Sequence, residues 1–265
     1  NNAIYFNEQT SKNCNVILIN SVYKKGSTGK IVDTLKNGIE KAKFEVFVLY
    51  GRKEIDAPVH NAAICTSKIE SVLCRLLNKL TKDGSLFNYF STFEYIRIIK
   101  KYKPQVVHVH CLNDYYINQY ILFRFLKKHH VKTVLTLHSE NLYVGCQEGH
   151  VFDCENWCNG NKCLNCNKYK GPIKNKRTWK RLNNMFSNFE ELLITAVSPW
   201  LAERAKKSTI CKDIPIKTVL NGLDDAFKFS LEKSNMLPDN LNDKKKILFV
   251  CANASNPHKG FKYFE

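Results

Sequence analysis

Short, β-branched apolar runs alternate with longer stretches of helical spacing along most of this chain, and that alternation restricts its fold more than any other feature. NVILIN (15–20) reads as a buried strand, followed over 28–42 by Ile31, Leu35 and Ile39 on one helical face. FEVFVLY (44–50) is a second strand. Two helical segments (about 68–80 and 92–102) precede PQVVHVH, and a helix at about 116–129 leads to VKTVLTLH. Beyond a cysteine-rich stretch come a helix near 176–186, the strand LLITAVS, a helix over 199–207 and the strand IKTVLNG. Strands apolar on both faces and separated by helices must be covered on both sides, which specifies an α/β fold with a parallel sheet. Such sheets bind ligands in the loops at the carboxyl ends of their strands.

This pattern fills residues 1–222, the expected first domain. Residues 223–245 turn polar and charged and read as a linker. KKKILFVCAN then restarts a strand, and Lys259-Gly260 opens a helix, so 246–265 is the expected start of a second domain. One strand and part of a helix cannot form a stable domain. With no initiator Met either, the sequence is expected to be partial.

No apolar run reaches the length of a membrane span, and NNAIYFNEQTSKNC lacks the apolar centre of a secretory signal, so a cytoplasmic protein is expected. The net charge of +17 favours nucleic acid, an acidic membrane surface or phosphorylated substrates, the plain alternative being a solvated basic surface. Without export, Cys14, Cys65, Cys74, Cys111 and Cys251, set in apolar runs, read as small buried hydrophobes.

Strand one runs into SVYKKGSTGKIVDTL, where Gly26 and Gly29 bracket Ser27 and Thr28 at a helix start. Backbone N–H groups there can approach an anion; a ligand-free turn is the bland reading. The loop is not a Walker A motif, because Lys24 and Ile31 stand where glycine and Ser or Thr are needed, and G-x-G-x-x-G is absent. His138 closes the strand VKTVLTLH. In VHVH, His108 is expected in the core, facing away from His110. His110, Asn113, Tyr115 and Tyr116 fall in a strand-end loop that could contact a ligand, although helix-start packing serves the tyrosines equally well.

The blocks INSVYKKGSTGKIV, VVHVHCLNDYYIN, TLHSENLYVGC, AVSPWLAE, VLNGLDDAF and NPHKGF occur in an order and spacing that resembles the family 4 retaining glycosyltransferases. Among these the chain is most similar to the bacterial branch that builds surface polysaccharide. The resemblance implies the GT-B fold, two Rossmann-like domains across a cleft, the first receiving the acceptor and the second gripping a nucleotide sugar. It implies a donor-diphosphate site at Gly26, Ser27, Thr28 and Gly29, completed by Lys259, and a catalytic His138 beside the transferred sugar. No cofactor is required for the chemistry it implies. The partners it implies are an NDP-sugar and a lipid-linked saccharide at the inner face of the cell membrane. The chain departs from the pattern at Ser139, where Asp is usual, and at Ala254 and His258, where Arg is found. The family's paired acidic residues would follow Glu265.

Cys146, Cys154, Cys158, Cys163 and Cys166 crowd an insert at about 140–172. C-x3-C and C-x-x-C spacings suit a tetrahedral zinc at Cys154, Cys158, Cys163 and Cys166, with Cys146 able to replace any of them. The alternative is five reduced thiols in a loop ordered by Trp157 and Tyr169. Two rival functions fit less of the chain. A GT-B-fold nucleotide-sugar epimerase would want strand-end carboxylates. A basic, zinc-stapled nucleic-acid binder would want a stripe with exposed aromatics, for which KYKGPIKNKRTWK (168–180) is the best support, and no nucleic acid is expected. On the transferase reading that same stretch would meet anionic lipid or a lipid-diphosphate acceptor.

Overall fold

A computed structural model describes residues 14–52, 59–81, 83, 86–112, 115–151, 154–169, 171–222, 245, 247–251 and 260–263. The chain divides into two compact units, Asn1–Gly222 and Leu223–Glu265.

The first unit is an α/β sheet with seven parallel strands. Along the chain run β1 (Val16–Asn20), α1 (Gly26–Lys41), β2 (Val46–Tyr50), β3 (Ala62–Ile64), α2 (Lys68–Thr81), α3 (Tyr89–Tyr102) and β4 (Val106–Val109). There follow α4 (Gln119–Lys128), β5 (Thr133–Leu137), α5 (Gly160–Leu164), α6 (Pro172–Phe186), β6 (Leu192–Ala196), α7 (Pro199–Lys207) and β7 (Ile216–Thr218). In space the strands lie in the order β3-β2-β1-β4-β5-β6-β7.

Alternate residues of each strand feed different cores, as the two-residue strand period requires. Ile17, Ile19, Phe47, Leu49, Val107, Val109, Leu135 and Ile194 enter one cluster. Leu18, Val46, Val48 and Tyr50 enter the other, which α1 covers with Val32, Leu35 and Ile39. Each such side chain stabilises the fold by about 1.5–3 kcal/mol through burial, so a charge at Val32 would detach α1. The helix α4 starts later than its apolar spacing suggests, because the Asn118 side chain accepts from the Ile121 N–H at 3.1 Å and caps it there. The edge strand β3 carries too short an apolar run to be read as a strand beforehand. Cys14, Cys65 and Cys74 are buried as expected, whereas Cys111 and Cys251 are only half-buried.

The second unit corrects one expectation. Residues 247–251 of KKKILFVCAN form no strand, and Ile247, Leu248 and Val250 are exposed. A strand needs a neighbour for its N–H and C=O groups, and the described residues of this unit provide none. Gly260 leads into a short 3-10 helix, Phe261–Tyr263.

Candidate active site

From β1 the chain winds outward to β2 and β3, then returns to place β4 on the other side of β1. The loops leaving β1 and β4 therefore run in opposite directions and open a crevice at the carboxyl edge, the preferred ligand position of such sheets. The glycine loop leaves β1, His110 follows β4 and His138 follows β5. Three adjacent strands at about 4.8 Å spacing put the attachment points of the glycine loop and His138 about 10 Å apart.

At the β1 end, α1 begins on Gly26, whose φ of +65° favours glycine. Lys25 precedes it without a side-chain cap, and the first turn contains no acid. The first N–H groups of α1 thus point outward at the positive helix end, among exposed Lys24, Lys25 and Lys30. Gly29 is needed for space instead, because a Cβ there would sit 3.2 Å from Val22 Cγ2 and 3.3 Å from the backbone of Tyr23 and Lys24. Ser27 is exposed, while Thr28 is committed to the scaffold. Its Oγ1 accepts from Asn20 Nδ2 at 3.3 Å, and Asn20 Oδ1 accepts from the Cys111 N–H at 3.2 Å. Asn20, fully buried, so ties the loop after β1 to the loop after β4. A polar side chain closing an apolar strand is the one sequence signal that could have marked it.

His108 and His110 do not face opposite ways. Residues two apart on a strand share a face, and the two rings stack with centroids 4.2 Å apart. Register pairs His108 with Val134, so Thr136 and His138 lie diagonally across on the same face. His108 Nε2 is 2.7 Å from Thr136 Oγ1, which is 2.7 Å from Thr195 Oγ1 on β6. His110 Nδ1 is 3.2 Å from His138 Nε2. His110 is 1% exposed, so it supports His138 and offers no surface to an acceptor. Its Nε2 has no hydrogen-bond partner.

Burial pushes His138 down to about 4, and burial with the neighbouring His138 charge takes His108 to about 4. Burial, followed by the His108 and His138 charges, holds His110 well below the usual imidazole range. Near neutrality the cluster is uncharged, a set of donors and acceptors instead of a cation. With Nε2 facing His110, Nδ1 is the His138 nitrogen left to engage a ligand.

Tyr115 is half-buried with a left-handed φ of 58°, and its hydroxyl accepts from Asn78 Nδ2 at 2.9 Å. Tyr116 is fully buried and donates its hydroxyl to Cys111 O at 2.6 Å, so it is scaffold and not an acceptor contact. Asn113 and Lys259 lie outside the described residues.

The insert following His138 hangs on Glu140, a buried carboxylate that no sequence motif marks. It accepts from Arg204 Nε at 2.6 Å, from the Val151 N–H at 2.9 Å and from the Tyr143 hydroxyl at 2.9 Å. Arg204 stacks over buried Trp157 at 4.6 Å. Cys163 has Cys154, Cys166 and Cys158 as electrostatic neighbours, and burial first, then those thiols, pushes it to about 11. Among the described residues, however, no group of three or more His, Cys, Asp or Glu is arranged to hold a metal ion. The zinc at Cys154, Cys158, Cys163 and Cys166, with Cys146 as a substitute, stays an expectation of the sequence alone. In the basic stretch 168–180, Trp179 lies against Gly145 and Gly160 instead of projecting as a stacking platform. No helix among the described residues is long and apolar enough to cross a membrane.

Comparison with known proteins identifies a match to the model of Glycosyltransferase Family 4 over residues 28–227, starting just after Gly26 and Ser27 and ending before Lys259. No curated protein matches the chain. Eight chains of solved structures do. One is sucrose-phosphate synthase from Thermosynechococcus elongatus, 10% identical with a TM-score of 0.47, over 80% of this chain and 49% of that one. The chain therefore spans about half the length of that structure.

Proposed function

The chain belongs to glycosyltransferase family 4, and from that premise we propose that it is the acceptor-side half of a retaining glycosyltransferase. It moves a sugar from an NDP-sugar to a lipid-linked saccharide at the inner face of the cell membrane, in surface polysaccharide synthesis. The arrangement that supports this reading is an uncapped helix N-terminus after β1 and a neutral histidine after β5, both at the carboxyl edge of one parallel sheet.

The backbone N–H groups of Gly26, Ser27, Thr28 and Gly29 take the donor diphosphate, and the cation that the family supplies for it corresponds in sequence to Lys259, outside the described residues. As the bond from C1 to the diphosphate breaks, charge grows on the leaving oxygens, and fixed N–H dipoles stabilise that charge more in the transition state than before it. The acceptor oxygen forms the new bond to C1 on the same face and passes its proton to a donor phosphate oxygen. His138 Nδ1 hydrogen-bonds the transferred sugar, with Nε2 braced by His110. Tyr115 is left to contact the acceptor, a role that the sequence alone extends to Asn113.

In the full-length protein, His138→Ala is expected to lower kcat by about 100-fold or more, the cost of removing one hydrogen-bonding group that acts in the transition state, with circular dichroism unchanged. Turnover equal to wild type would remove His138 from the mechanism.

A further inference from the structure

The helix α2 presents its apolar stripe to solvent. Ile69, Val72, Leu73 and Leu76 follow the i, i+3, i+4, i+7 spacing that normally turns toward a core. Their exposures are 83%, 57%, 53% and 55%. The opposite side of the helix is the docked one, where Cys74 is buried and its sulfur accepts from the Asn88 N–H at 3.2 Å.

Glu70, the acid in the first turn of α2, does not face water with its charge free. Its carboxylate accepts from the Phe90 and Ser91 N–H groups at 2.9 and 2.8 Å, and from the Ser91 hydroxyl, at the positive start of α3. That clamp sets the first turn of α3 beside α2 and adds Phe90, 82% exposed, and Phe93 one turn on to the apolar surface. Lys68 and Arg75 are the exposed charges of the described α2 side chains, and both are cations.

The patch also has a definite place. Thr66 donates its hydroxyl to Tyr116 O at 3.0 Å, and Asn118 N–H donates to Thr92 Oγ1 at 2.7 Å. These contacts hold the α2–α3 start against the loop following β4, on the edge of the sheet that carries His110 and His138.

We propose that the exposed face of α2, extended by Phe90 and Phe93, docks this chain on an anionic lipid bilayer. An apolar helical face carrying leucines and phenylalanines, flanked by basic residues, lies in the interface plane of a membrane and is drawn there by acidic headgroups. A second copy is the poorer occupant: a two-fold contact would press Lys68 and Arg75 of both chains together, on molecules that each carry +17. The proposal rests on the lipid-linked acceptor in the reading above, and it sets that acceptor's entry beside the crevice.

Co-sedimentation of the full chain with vesicles tests it without any sugar present. Binding is expected to phosphatidylglycerol-containing vesicles and not to pure phosphatidylcholine. Leu73→Glu with Leu76→Glu should weaken it by at least about tenfold, and Lys68→Glu with Arg75→Glu should remove its dependence on acidic lipid. Circular dichroism and thermal midpoint report folding of each variant, and Phe90→Ser gives a milder second probe. Equal vesicle binding by folded variants would overturn the proposal. So would a wild-type dimer in sedimentation that the leucine variants dissolve. Patch-dependent binding by a full-length protein that turns over no NDP-sugar would uphold the docking surface and defeat the transferase reading alone.

Discussion

The strand-end histidines and the cysteine-rich insert are neighbours in the chain, and both are dense in groups that bind ligands, yet different physics orders them. On β4, β5 and β6 the sheet register decides which side chains meet. His108, His110, Thr136, His138 and Thr195 share a face because their positions are even-numbered steps along paired strands. The insert has no ladder. Glu140, Arg204 and Trp157 pin it to α7, and Trp179 fills a slot where a Cβ on Gly160 would come within 2.4 Å of the indole. Ligand-type residues on a sheet inherit its precision, whereas those on a loop depend on a few side-chain ties.

Cutting one tie breaks this comparison most sharply. Glu140→Leu would leave the Arg204 guanidinium only the exposed Glu155 carboxylate at 3.5 Å, and the Val151 N–H and Tyr143 hydroxyl without an acceptor. Removing one partner of a buried ion pair costs about 3–5 kcal/mol, so urea denaturation should show a loss of that size. Proteolysis should then cut first within 141–169. A loss under about 1 kcal/mol would mean that packing around Trp157 suffices.

Acid addresses the other region. An unfolded imidazole takes its proton near pH 6.5, whereas His138 and His108 in the fold do so only at about 4. Between those values the unfolded chain binds more protons, so stability falls as pH is lowered through this window and is flat with respect to these groups above it. Each histidine contributes on the order of 2 kcal/mol between pH 7 and pH 5, less where His138 meets solvent. Urea midpoints across this range should show the slope, and His138→Asn should reduce it. A slope unchanged by that substitution would place the acid-sensitive group elsewhere.

The same contrast explains what was legible in the sequence. Apolar runs and helical spacing give the strands β1, β2 and β4–β7, because each such strand must be covered on both faces. The three-residue edge strand β3 lies below the length at which pattern decides anything. KKKILFVCAN reads as a strand locally and is not one over 247–251, since pairing is a property of neighbours. At the site, His138 and the glycine loop were visible as strand-end residues. Asn20's bridge and the His110–His138 contact depend on strand order, which the chain reveals only on folding. Glu140 and Arg204 are 64 positions apart with no pattern joining them.

At the β1 end, two glycines of α1 sharpen the comparison at its finest grain. A Cβ on Gly26 or on Gly38 would meet nothing within 4 Å, so steric room cannot distinguish them. Backbone conformation does, since Gly26 sits at φ +65° and Gly38 is an ordinary residue of the helix interior. Gly26→Ala should cost about 1 kcal/mol from the left-handed conformation and raise the KM for the NDP-sugar as the first N–H groups turn aside. Gly38→Ala should stabilise by about 0.5–1 kcal/mol and leave KM alone. If both substitutions stabilised equally, the helix start would be indifferent to its own geometry, and the N–H groups of Gly26 to Gly29 would lose their claim on the diphosphate.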